Sequence, residues 1–283
     1  MGLPKRIKKR FENIITLYGR KPVLESLKDE SIQVFRLHLS DSNKEGETIN
    51  ETLRLAELRG IEVVTHSRKE LSRISKNGRQ DQGVAVDIEP KKYVHIEDYT
   101  PTISNLLVAD HITNPQNLGM IIRSVVASPM SGILIPKKGC ASIDALVHKA
   151  SAGTLLKGNI FFCETIESGL ANLKSREFNI FGLASDGTKE LGSFAAESKK
   201  QAFVLGNESN GLSAKAKKFC DELIKIKLHN AVDSINVAAA ATLVAFRPVA
   251  SRASLPETPN DYLRIRLGSK AARARARSRS DRT

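Results

Sequence analysis

The chain has 283 residues, 41% of them hydrophobic, enough to bury a sizeable core and too many for wholesale disorder. Lys and Arg total 44 against 31 Asp and Glu, a net charge of +13, so a polyanionic partner is expected and nucleic acid is the first candidate. Cys140, Cys163 and Cys220 lie too far apart for a metal knuckle or a paired disulfide framework, so a reduced, metal-free chain is expected.

Residues 1–13 form a basic lead-in without the apolar stretch of a secretory signal. The longest apolar run, residues 235–246, falls short of the roughly 20 residues that cross a bilayer. A cytoplasmic protein with no membrane partner is expected.

Residues 14–90 read as a small α/β domain. A helix around residues 22–27 precedes an apolar strand at 34–39. A second helix, 49–59, stops at Gly60, which suits the left-handed position that ends helices. Strands at 62–65 and 84–88 follow, and the polar, strand-poor stretch 91–104 reads as a linker. A second α/β domain covers residues 105–250. It opens with the strand 105–109, a loop 110–117, a helix 118–127 and a strand 132–135. Further short apolar strands fall at 160–162, 180–184, 202–205 and 224–227, and an alanine-rich helix at 235–246. Such strands with helices between them predict a mostly parallel sheet buried on both faces. Within the tail 251–283, residues 264–283 carry Arg264, Arg266, Arg273, Arg275, Arg277, Arg279 and Arg282 with one acidic residue, Asp281. That composition reads as a disordered tail, either an RNA-gripping segment or a merely solvated one.

Two nucleotide signatures are missing. Gly206 and Gly211 have P-loop spacing, but Leu212-Ser213 stands where Lys-Ser/Thr is required, and neither domain opens with GxGxxG. Three other segments place polar residues in apolar surroundings. In the first, Pro115 and Gly119 shape a turn after a strand, and Asn117 is either a cap for the helix behind it or a functional side chain. Arg123, within the run Ile121-Ile122-Arg123, reads as a buried guanidinium that wants an anion such as phosphate. In the second, a buried strand runs into Gly206-Asn207-Glu208, where Glu208 either caps the next helix or serves a ligand. In the third, Ser234 and Asn236 precede the alanine-rich helix, Ser234 as its expected N-cap in addition to any function.

Taken together in this order, the segments resemble the motifs of the SpoU (TrmH) family of RNA ribose 2′-O-methyltransferases in the SPOUT superfamily. Asn117, Gly119 and Arg123 match the first motif, Gly206, Glu208, Gly211 and Leu212 the second, and Ser234, Ile235, Asn236 and Val237 the third. Tyr18 to Glu25 and Gln82-Gly83-Val84 resemble the opening and closing of the family's substrate-binding domain, as in its enzymes for a guanosine of large-subunit ribosomal RNA. The resemblance implies a homodimer whose second domain ends in a trefoil knot, with S-adenosylmethionine as methyl donor and RNA as substrate. It assigns catalytic and RNA roles to Asn117, Arg123, Glu208, Ser234 and Asn236. Donor contacts fall by position to Ala184, Gly206, Ile226, Leu228 and Ile235. Lys227-Leu228 stands where the family usually has a proline after the strand.

Overall fold

The computed structural model describes residues 14–44, 46–99, 103–193 and 200–247. The basic lead-in, the Arg-rich tail and part of the expected linker lie outside the described residues.

The first part of the chain alternates β1 (Ile15–Tyr18), α1 (Arg20–Lys28), β2 (Val34–Ser40), α2 (Glu47–Leu58), β3 (Glu62–His66), α3 (Arg68–Ser75) and β4 (Val84–Ile88). Its four strands lie in the order β1-β4-β2-β3, with β2 and β3 parallel and the other pairs antiparallel. Leu17, Leu37 and Val86 point to one face and are fully buried there with Val23 and Leu27 of α1. Gly60 takes φ +61 after α2, as its position predicts. α3 is a helix beyond those expected from the sequence. Its signal was present in Ser67 and Glu70, which form a reciprocal capping box.

The second part holds β5 (Val94–His95), β6 (Asn105–Ala109), α4 (Pro115–Ala127), β7 (Gly132–Pro136), α5 (Ala145–Ala150), β8 (Ile160–Cys163) and α6 (Ile166–Ser175). It continues with β9 (Asn179–Leu183), β10 (Lys189–Glu190), β11 (Gln201–Leu205), α7 (Ala214–Lys217), β12 (Glu222–Lys225) and α8 (Val237–Ala245). The eight strands run in the order β10-β12-β9-β11-β6-β7-β8-β5, and every ladder between them is parallel. The stretch read as a linker therefore contributes a strand: Val94 and His95 pair with Phe161 and Phe162 at the sheet edge.

Burial on both faces follows from the strand period of two. Leu107, Ala109, Ile133, Ile135 and Leu205 meet α4 and α8 on one side. Leu106, Val108, Leu134 and Val204 meet Leu170 and Leu173 of α6 on the other. Each fully buried Leu or Ile stabilises the sheet by roughly 1.5–3 kcal/mol. Helices on both faces leave the ends of the strands as the open surface. That arrangement makes the C-terminal strand ends the natural place for a ligand.

Candidate active site

The loop after β6 leads into α4, and its cap lies three residues earlier than expected. Asn114 is the N-cap, accepting from the backbone N–H groups of Gln116 at 2.9 Å and Asn117 at 3.4 Å, with Pro115 in the first turn. This frees the Asn117 side chain, which is buried and turned toward two other loops. Its amide nitrogen Nδ2 donates to Glu208 Oε1, and its Oδ1 accepts from Asn236 Nδ2 at 3.2 Å. Three segments far apart in sequence thereby meet at one side chain.

The second segment is a tight loop after β11. Asn207 and Gly211 exchange two backbone hydrogen bonds, at 3.0 and 2.9 Å. A Cβ on Gly206 would lie 2.2 Å from the Gly211 carbonyl carbon, so glycine is required for the chain to fold back on itself. Glu208 does not cap the next helix. Ser213 does, accepting from Ala216 N–H, which leaves the Glu208 carboxylate to Asn117.

In the third segment the helix cap is Asn236 and not Ser234. Asn236 Oδ1 accepts from Ala238 N–H at 2.8 Å while its amide nitrogen reaches Asn117. α8 accordingly starts at Val237, two residues later than expected. Ser234 stays exposed in the preceding loop, beyond the left-handed Asn230 and Ala231.

These loops surround a cleft of about 190 Å³ at the C-terminal ends of β9, β11 and β12. Ala184, Gly206, Ile226, Leu228 and Ile235 all line it, as do Glu208 and Ser234. Leu183, Leu205, Val237 and Ala240 add apolar wall, and Asn207 and Asp233 add polar groups that the sequence reading did not single out. Their signal was positional, since each lies within a few residues of a strand end or motif.

Arg123 differs from its expected setting. The helical period turns Ile121, Ile122 and Val125 inward and leaves Arg123 exposed on the outer face of α4. It does not line the cleft of its own chain. Nearby, Ser124 Oγ and Thr242 Oγ1 lie 2.8 Å apart between α4 and α8. Met120 and Leu243 on these two helices, and Phe246 at the C-terminal cap of α8, are exposed apolar side chains. Among the described residues no helix is long and apolar enough to cross a membrane, and no cluster of three or more His, Cys, Asp or Glu could hold a metal.

The fold and cleft define the class: an α/β protein with a small-ligand-sized cleft at the ends of parallel strands, preceded in the chain by a smaller four-stranded α/β part. Residues 104–246 match the model of the SpoU rRNA methylase family, and residues 16–94 match that for RNA 2′-O ribose methyltransferase substrate binding. An uncharacterized tRNA/rRNA methyltransferase of Mycobacterium avium (strain 104) is 31% identical over 246 residues, covering 85% of this chain and 79% of its own. The SpoU methyltransferase AviRb from Streptomyces viridochromogenes, solved with AdoMet, shares the fold at TM-score 0.69 and 20% identity. That match covers 86% of this chain and 92% of AviRb. An AdoMet-bound rRNA methyltransferase from Sinorhizobium meliloti also reaches TM-score 0.69 at 20% identity, covering 89% and 92% of the two chains. The chain belongs to the SpoU family. It is an RNA methyltransferase, from a family that draws its methyl group from S-adenosylmethionine.

Proposed function

We propose that this protein methylates a ribose 2′-hydroxyl of a guanosine in large-subunit-type ribosomal RNA, acting as a cytoplasmic homodimer. The observation that carries the reading is the meeting of Asn117, Glu208 and Asn236 beside a cleft lined by Ala184, Gly206, Ile226, Leu228 and Ile235. Residues 14–90 serve as the RNA-binding domain and 105–250 as the catalytic domain, with the family's C-terminal knot; the two matched family models support this division.

The cleft suits the donor chemically. Ile226, Leu228 and Val237 offer apolar walls for an adenine ring, and the Glu208 and Asp233 carboxylates suit a cationic sulfonium compound. S-adenosylmethionine, when bound, supplies a methyl group already activated by its sulfonium. The residues of the chain then have two tasks: to hold the ribose oxygen in line, and to help it lose its proton as it attacks. In this reading Asn117 and Asn236 fix the Glu208 carboxylate and the loop geometry, and Ser234 contacts the substrate or donor from the cleft wall. Arg123 clamps an RNA phosphate. A guanidinium holds its proton in nearly every protein setting, so it positions the oxygen and a phosphate-assisted relay takes the proton.

The homodimer completes the site. Met120, Leu243 and Phe246 are 40%, 49% and 52% exposed, an apolar face beside Arg123 that a second copy would cover. A second copy seated there brings the outward Arg123 of one subunit to the other. The relatives' names carry both tRNA and rRNA, so the substrate is tested directly. Mapping 2′-O-methyl marks in cells with and without the protein should show the loss of a single large-subunit rRNA signal. Intact rRNA with a missing tRNA mark would overturn the ribosomal assignment.

A further inference from the structure

A second cleft opens at the same end of the large sheet, beyond the loop that closes the first. It encloses about 420 Å³ and is lined by His111 after β6, Lys138 and Gly139 after β7, Thr165 after β8, and Ser213 and Lys215 at the start of α7. Nothing in the proposed methyl transfer uses it. The loop from Gly206 to Ser213 forms the partition. Asn207 and Gly211 face the first cleft, Ser213 lines the second, and Asn207 Nδ2 donates to the His111 carbonyl at 2.9 Å.

His111 is held in place from behind. Asp110 is fully buried and accepts from His111 Nδ1 at 2.6 Å and from Ser213 N–H at 2.7 Å. A carboxylate only accepts, so Nδ1 carries the hydrogen, which leaves Nε2 as the ring's outward polar atom, an acceptor whenever the ring carries a single proton. The Nε2 edge lies against Gly139, where an added Cβ would meet it at 3.0 Å. His111 also holds a left-handed backbone, φ +58, which is uncommon for a residue other than glycine. Two neighbouring lysines are occupied, Lys137 with Glu164 and Lys215 with Glu167. The Lys138 side chain makes no hydrogen bond or close ion pair among the described residues, its nearby counter-charge being the Glu164 carboxylate already held by Lys137.

We propose that this second cleft takes a nucleotide of the RNA substrate adjacent to the methylated ribose, its phosphate on Lys138 and its 2′-hydroxyl on His111 Nε2. The inference rests on the RNA methyltransferase reading above. An unpaired ammonium meets the phosphate charge, and a fixed acceptor meets a hydroxyl that DNA lacks. Because one loop walls both clefts, a nucleotide seated in the second presses on the partition that bounds the donor cleft. The cleft thereby helps to select the sequence or shape that flanks the target.

The test uses the full chain and large-subunit ribosomal RNA purified from cells lacking the protein. RNA binding over a salt series, donor binding by titration and methyl transfer to the same RNA are measured in parallel. Lys138→Ala should weaken RNA binding roughly threefold to tenfold and reduce the salt slope by about one, and Lys138→Arg should restore both. His111→Ala should raise the KM for RNA, with recovery in His111→Gln, whose amide oxygen still accepts. Donor affinity should hold in all four. Unchanged RNA affinity and salt slope in Lys138→Ala would overturn the proposal. So would a loss of donor affinity in His111→Ala that matches its loss of RNA affinity, because His111 would then only brace the loop. A wild-type chain that binds this RNA without methylating it counts against the ribosomal target instead, and leaves the binding comparisons readable.

Discussion

Asn117 and Glu208 stand 91 positions apart and share a hydrogen bond, Asn117 Nδ2 donating to Glu208 Oε1 beside the cleft at the strand ends. The same Asn117 amide accepts from Asn236, so one buried side chain joins the loops after β6 and β11 to the cap of α8. Asn117→Ala should lower kcat/KM by roughly 10²-fold, the usual cost of removing one placed donor from a reacting site. Asn117→Asp sets a second carboxylate against Glu208 and should be worse at pH 7 than at pH 5, where one of the two takes a proton. Steady-state transfer of labelled methyl into RNA measures both.

Arg123 faces solvent on α4 and has no side-chain hydrogen bond or ion pair among the described residues. If it clamps a phosphate, Arg123→Lys should reduce kcat/KM for RNA by roughly tenfold, because an ammonium lacks the bidentate fork. The pH–rate profile should keep its shape. A profile that moves with the lysine would assign the proton to position 123.

The exposed Leu243 on α8 lies on the face assigned to the second copy. Leu243→Glu places a charge there that assembly would have to desolvate, and should shift the protein to monomer in sedimentation velocity. Methyl transfer should fall with the dimer fraction. A fully dimeric variant would remove this face from the interface.

Gly119 sits where α4 crosses α5. An added Cβ would meet the Ala150 Cβ at 2.5 Å and the Val147 carbonyl oxygen at 2.7 Å, and neither belongs to a flexible side-chain end. Gly119→Ala should destabilise the fold by about 1–3 kcal/mol despite its gain in helix propensity. The midpoint of urea unfolding reports the change.

His148 on α5 is buried, and its Nδ1 has no hydrogen-bond partner. Burial pushes its pKa down from 6.5 to about 4, against an opposing pull from Asp144. The unfolded chain therefore binds a proton below pH 6.5 that the folded chain refuses until about pH 4. Stability should be intact above pH 6.5 and decline across that window, by roughly 3 kcal/mol at its lower end. His148→Leu should flatten this part of the stability–pH curve measured by denaturant titration.

The alternation of helices and apolar strands was legible because parallel strands buried on both faces keep their polar residues to the strand ends, as with Asn105 and Gln201. Leu106 to Ala109 and Ala202 to Leu205 are such runs. Asn117 and Glu208 stood out as polar residues following those runs and Asn236 as one preceding the alanine-rich helix, and the roles proposed for them came from the family resemblance. Edges were harder. Val94–His95 is too short to show a period, and it becomes a strand only because β8 offers it a free edge.

Residue type and spacing by themselves determined the α/β class and the three motif segments, and the family resemblance pointed to Ala184, Gly206, Ile226, Leu228 and Ile235, which line one cleft. They did not determine which asparagine caps a helix and which reaches across the site, because Asn114, Asn117 and Asn236 offer the backbone the same side-chain atoms. Nor could the run Ile121-Ile122-Arg123 say whether the guanidinium faces the core or the solvent. Only packing decided those points: α4 turns its apolar stripe onto the sheet, which carries Asn117 inward and Arg123 outward. Hydrogen bonds between loops 91 and 119 positions apart exist only once the strands between them have stacked in order.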